Sequence, residues 1–196
     1  MKPYPSQIDI NNIIKSFSNE KYKQSEKLAK NLIKTFPEHS FGWKAIAAIY
    51  IQTGRNSEAL NANQKAVNLA PNDAEAHSNL GNIFKELGRF NEAETSCRKA
   101  LELKPNLSEA YNNLGIILQE FEKLDEADIN FRKAIKIKPN FLEAYINLGN
   151  VLKEKGKIVD AINEYKKTLQ ILPNYKIAFY SIGNALVGIS FKKYLP

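Results

Sequence analysis

Two histidines, one cysteine and a row of evenly spaced asparagines are the residues of this 196-residue chain with chemistry to offer. His39, His77 and Cys97 are too few for a Cys/His zinc cage, and one cysteine cannot form an intrachain disulfide. The asparagines are more informative. Asn79, Asn113 and Asn147 recur every 34 residues, and Asn82, Asn150 and Asn184 follow three places behind on the same period. An asparagine side chain ends in one acceptor oxygen and two donor hydrogens, a set that suits bidentate bonding to a peptide group. Repeated at a fixed spacing, such a row can hold an extended chain by its backbone and read its side chains only loosely.

A period of 34 requires a structural element that also repeats. Pro37, Pro71, Pro105, Pro139 and Pro173 share the period, and no other proline interrupts the chain between them. The prolines divide the sequence into units 6–39, 40–73, 74–107, 108–141 and 142–175, with 176–191 as the start of a sixth. Within each unit two stretches carry helical periodicity. In 108–141 the first sets Ala110, Tyr111, Leu114, Gly115, Ile117 and Leu118 on one side, and the second sets Leu124, Ala127, Phe131, Ala134, Ile135 and Ile137 likewise. Each unit therefore predicts two antiparallel amphipathic helices joined by a short turn.

Small residues recur where the helices must approach. Ala47, Gly81, Gly115, Gly149 and Gly183 hold the eighth position of their units, and Ala59, Ala93, Ala127 and Ala161 the twentieth. Gly54, Gly88 and Gly156 fall where a left-handed cap would end the first helix. Asn72, Asn106 and Asn140, each three residues before a glutamate, predict N-caps of the capping-box kind.

These residues resemble the tetratricopeptide repeat family. Trp43, Ile46, Ala47 and Tyr50 match its pattern in one unit, and Tyr145, Leu148, Gly149, Leu152, Ala161, Tyr165 and Pro173 in another. Unit 6–39 departs from it, with Ile13 at the eighth position, Ser25 at the twentieth and Leu32 at the twenty-seventh, and reads as a degenerate repeat or cap. The resemblance implies an all-α, right-handed solenoid over 1–196, with first helices on the inner wall. The inner strip is similar to the asparagine ladder in the repeat arm of O-linked N-acetylglucosamine transferases, matched here by Asn79, Asn113 and Asn147. The family's carboxylate clamp is matched poorly: Lys44 is present, but Ala48 replaces its asparagine and Glu109 stands where a lysine is needed.

The implied function is a protein-interaction scaffold that binds an extended polypeptide on its concave face through Asn79, Asn82, Asn113, Asn147, Asn150, Asn184, Lys85 and Lys153. The alternative is the recognition or oligomerisation arm of a larger enzyme, glycosyltransferase-like or sulfotransferase-like. Helical arithmetic assigns positions 2, 5, 6, 9, 12 and 13 of each first helix to the groove. His77, in the slot of Trp43, Tyr111 and Tyr145, reads as a packed core ring. Cys97, in the slot of Phe131 and Tyr165, reads as a buried thiol. No catalytic set, phosphate loop, cofactor or metal site is expected, so the chain reads as a non-enzyme.

Net charge is +7, but residues 1–40 hold 7 basic and 4 acidic residues and residues 172–196 hold 3 and 0, so the excess sits at the ends. Arg98-Lys99, Arg132-Lys133 and Lys166-Lys167 read as solvated outer faces. No nucleic-acid or membrane partner is expected, and without a leader-like apolar start the expected location is cytoplasmic. Residues 176–191 are apolar on nearly all sides. They predict a helix that packs on unit 142–175 and leaves Ile177, Tyr180, Val187, Ile189 and Phe191 for a further domain or a homodimer.

Overall fold

The computed structural model describes residues 4–192, with side chains described for 4–187. The described residues form eleven helices and no strand. They run in pairs, α1 (Gln7–Ser18) with α2 (Tyr22–Thr35), α3 (Ser40–Gln52) with α4 (Asn56–Leu69), and α5 (Ala74–Glu86) with α6 (Phe90–Leu103). Then come α7 (Ser108–Glu120) with α8 (Leu124–Ile137), α9 (Leu142–Glu154) with α10 (Ile158–Ile171), and α11 (Lys176–Lys192). The chain divides into two compact units, Met1–Pro105 and Asn106–Pro196. Inside each unit a helix packs on its pair partner, on the first helix of the next pair, or on the neighbouring first helix.

The interior of every pair is set by two positions that trade volume. The eighth and twenty-fourth residues are Ile13 and Ala29, Ala47 and Asn63, Gly81 and Cys97, Gly115 and Phe131, Gly149 and Tyr165. A large eighth residue stands with a small twenty-fourth, and a ring stands only with glycine. A Cβ on Gly115 would lie 2.6 Å from the Phe131 ring, and one on Gly149 would lie 2.2 Å from the Tyr165 ring. Both rings are wholly buried, each stabilising by about 1.5–3 kcal/mol relative to exposure. Unit 6–39 obeys the same rule with the sizes reversed, since Ile13 and Ala29 belong to one buried cluster with Leu32 and Ile46. Its Ser25 is buried too, and its hydroxyl donates to the Ile13 carbonyl at 3.3 Å. It is a repeat with an inverted size pair.

First helices end alike. Gly54, Gly88 and Gly156 take φ values of 73°, 71° and 76°, and the next N–H reaches back to the carbonyls of Tyr50, Phe84 and Leu152 at 2.8 Å. Glu20 and Glu122 hold the same place with φ 57° and the same closing bond, so a side chain is carried where glycine fits best. The expected asparagine caps are corrected. The cap lies one residue later, at Asp73, Leu107 and Phe141, and only Asp73 of these makes a side-chain cap bond, to the N–H groups of Glu75 and Ala76. At Leu107 an apolar side chain is buried instead, worth about 1.5–3 kcal/mol against about 1 kcal/mol for a polar cap, and burial wins.

Candidate functional site

In the first unit, α5 carries Asn79 and Asn82 one turn apart, both half-buried, and neither amide has a partner among the described residues. In the second unit, α7 carries Asn113, half-buried and equally unpartnered, with Ile116 one turn on. The pair on α9 differs. Asn147 donates through Nδ2 to Oδ1 of Asn112 at 3.0 Å, and Asn150 accepts at Oδ1 from the Tyr165 hydroxyl at 2.8 Å. Asn184 stands exposed on α11. Each remaining free amide keeps donors and an acceptor without the full cost of leaving them buried and unbonded.

The expected groove needs one correction. Position five belongs to the packing, because Ser78, Asn112 and Ile146 are buried there. Successive first helices also approach one another, α3 with α5 and α7 with α9, and the buried row is not part of an open wall. Lys44, the fifth residue of its unit, is held between Asp73 and Glu75 at 2.9 and 3.0 Å. Burial works against its charge, but the two carboxylates outweigh it and raise its pKa above the ordinary lysine value. A cation already satisfied in this way is a poor grip for a foreign carboxylate.

The two lysines expected in the groove also differ from each other. Lys85 pairs with the adjacent Glu86 at 3.2 Å, while Lys153 makes no ion pair among the described residues. Gln119 and Glu154, on the neighbouring rungs α7 and α9, bond to each other at 2.6 Å.

His77 is not a core ring. It is half-buried, with Nε2 2.8 Å from the Pro71 carbonyl, just as Trp43 Nε1 donates to Pro37 and the Tyr145 hydroxyl to Pro139. The fourth position therefore ties the first helix to the turn before it. Cys97 is fully buried against Gly81, and burial pushes its thiol up to about 12, far from a nucleophilic thiolate. The basic pairs of the second helices are exposed and largely neutralised: Arg98 meets Glu94, Lys99 meets Glu102, Arg132 meets Asp128 and Lys167 meets Glu164. No helix among the described residues is long and apolar enough to cross a membrane.

On α11, Ile177, Phe179, Leu186 and Val187 are half exposed or more, and Tyr180 is 73% exposed. Ala178 and Ala185 are buried beneath them. Gly183 takes the eighth position of its helix, yet a Cβ there would meet nothing. The side chains of Ile189 and Phe191 lie outside the described residues.

Models of the tetratricopeptide repeat match residues 74–107, 96–128 and 130–163, and a TPR repeat model matches 47–88 and 149–189. The chain belongs to the tetratricopeptide repeat family. No curated protein matches it in sequence. Among solved structures it is similar to a thermophilic TPR protein of Thermus thermophilus, with a TM-score of 0.81 and 16% identity over 92% of this chain and 98% of that one. MamA aligns with a TM-score of 0.66 and 24% identity over 86% and 96% of the two chains. YrrB, described as a TPR protein with an unusual peptide-binding site, aligns at 0.63 with 20% identity over 90% and 91%.

Within this repeat frame, the bonds of two residues escaped the sequence reading, which puts Asn112 in the groove row and Tyr165 in a packing slot. Asn112 and Tyr165 sit in core slots, and their polar atoms reach the groove asparagines of the next rung or the paired helix. The only available signal was numerical: Asn147 lies one repeat plus one residue beyond Asn112.

Proposed function

We propose that this TPR protein is a non-catalytic scaffold that holds an extended polypeptide through the asparagines of its first helices. The observation that carries the reading is the set of half-buried amides of Asn79, Asn82 and Asn113, at the sixth and ninth positions of the repeat and unpartnered among the described residues. Such groups gain more from a peptide bond than from surrounding water when a ligand also shields them. The peptide-binding site named for YrrB is in keeping with this use of the fold. Lys153 adds a cation for an acidic side chain of the bound segment, and Asn184 on α11 extends the row within the second unit.

The test is a selection from random unstructured peptides of about 15 residues, long enough to span several repeats when extended, followed by fluorescence anisotropy with the peptides it enriches. Replacing Asn79, Asn113 and Asn147 together by alanine is expected to weaken binding at least tenfold while the helical circular dichroism stays unchanged. Equal affinities for the variant and the parent would remove the asparagines from the account.

The face of α11 favours a second reading, in which the chain is one arm of a larger assembly. In the two preceding repeats the eighth-position glycine receives a ring from the second helix, Phe131 on Gly115 and Tyr165 on Gly149, while Gly183 stands open. The matching occupant is an amphipathic helix bearing an aromatic residue, supplied by a second copy or by another polypeptide. Light scattering of the parent and of an Ile177→Asp, Tyr180→Asp variant separates these sources. A dimer abolished by the variant identifies the second copy, and a monomer throughout excludes it.

A further inference from the structure

The repeats offer an internal comparison at the twenty-fourth and ninth positions. Tyr165 faces Asn150, Phe131 stands with Ile116, Cys97 with Asn82, and Asn63 with Ala48. Only the first combination carries both a ring hydroxyl and an amide, and there the two are bonded at 2.8 Å. Where the ring loses its hydroxyl, the amide is gone as well. Where the ring is replaced by a thiol, Asn82 keeps its amide but has nothing to orient it.

The Tyr165 ring is fully buried and pinned against Gly149. Burial, reinforced by Glu154, pushes the hydroxyl up to about 12, further above neutral pH than an ordinary phenol. A buried phenol needs a partner for its O–H, and the oxygen of Asn150 is that partner. An asparagine whose Oδ1 is held inward by such a bond turns its two N–H groups the other way, outward. One turn earlier, Asn147 has given one N–H to Asn112, and its Oδ1 remains unpartnered among the described residues. The α9 rung thus displays a donor at Asn150 and an acceptor at Asn147.

We propose that Tyr165 is a positioning residue which makes Asn150 a fixed donor, so that Asn150 and Asn147 together bind one residue of an extended chain. Asn150 Nδ2 donates to that residue's carbonyl, and Asn147 Oδ1 accepts from its N–H. In an extended strand these two groups of one residue project to the same side, as they do across a hydrogen-bonded antiparallel pair. The two asparagines, one helical turn apart, stand about 5–6 Å from each other at Cβ, within reach of both. Asn82, unoriented, adapts to either polarity. This inference rests on the peptide-binding reading and assigns it a direction of hydrogen bonding at one rung.

The probe is N-acetylalanine N′-methylamide, followed by the side-chain amide signals of Asn147 and Asn150 in proton–nitrogen correlation spectra. Asn150→Asp keeps the oxygen that accepts from Tyr165 and removes the N–H groups, so it retains the fold. It is expected to weaken the probe at least tenfold. Tyr165→Phe, a ring already accommodated on Gly115, is expected to shift the Asn150 amide signals without ligand and weaken the probe about three- to tenfold, with no further loss when added to Asn150→Asp. The probe methylated at its alanine nitrogen is expected to leave the Asn147 signals unmoved.

An Asn150→Asp variant that binds like the parent, or losses that multiply in the double variant, would overturn the proposal. So would a parent protein that shows no shift at either residue. Selected peptides that still need Asn79 and Asn113 in those cases would leave the broader reading standing.

Discussion

A glycine at the eighth position has two opposite meanings in this chain, and substitution separates them. Gly149→Ala drives a methyl group into the Tyr165 ring and is expected to destabilise the protein by about 1–3 kcal/mol, read as a lower urea midpoint. Gly183→Ala meets open space in the middle of a helix and is expected to be neutral or to stabilise by up to about 1 kcal/mol. A fall in stability at Gly183 matching that at Gly149 would mean that something already covers α11. Sequence pattern revealed both glycines through their period. It did not reveal the difference, because the closing ring lies on another helix and α11 has no paired helix among the described residues. The same limit applies to the asparagines. Their places were legible, but Asn147 and Asn150 are engaged by Asn112 and Tyr165, partners chosen by packing rather than by local spacing.

At the scale of single helices, the boundaries were legible because proline, glycine and apolar period agree, while the caps were not. The Pro-Asn step is a turn, and the helix begins one residue later than capping chemistry alone would place it. The first-helix ends supply a prediction of their own. Glu20 and Glu122 occupy the left-handed conformation that glycine holds in three other repeats. Glu122→Gly and Glu20→Gly are each expected to raise stability by about 0.5–1 kcal/mol, measured by chemical denaturation. Gly88→Ala is expected to lower it by a similar amount through backbone strain alone, since nothing lies within 4 Å of a Cβ built there.

Inside each of the two compact units, repeats are joined by apolar burial and by a few ion pairs. Arg55 meets Glu26 at 3.0 Å, Lys44 meets Glu75 at 3.0 Å beside its own repeat's Asp73, and Lys155 meets Asp125 at 2.7 Å. Lys30 and then Arg55 hold the Glu26 carboxyl below its ordinary value, and Lys155 does so for Asp125. Burial pushes the Asp73 carboxyl upward, but Lys44 and the N–H groups of Ala76 and Glu75 outweigh it, and its pKa is lowered too. A carboxyl depressed in the folded state contributes stability above its unfolded pKa and loses it as pH falls through the folded value. Stability is therefore expected to be flat from neutral pH down to about 5 and to decline below that. Asp73→Asn, which retains a capping oxygen, is expected to lower stability at neutral pH and flatten the acid decline. A parallel decline in parent and variant would remove this pair from the account.

The paired sizes at the eighth and twenty-fourth positions also bear on how such a chain can be lengthened or shuffled. Each first helix fits the second helix of its own repeat, and several exchanges create a misfit. Joining the Gly115 helix to the Cys97 helix would leave a void where the Phe131 ring belongs, and joining the Ala47 helix to the Tyr165 helix would set a methyl group against a ring. Genetic crossovers that fall in the Pro-Asn turns preserve every matched pair, whereas crossovers in the short turn within a repeat create mismatched ones. Recombination, natural or engineered, is thus steered to the proline boundaries by the interior of each helix pair.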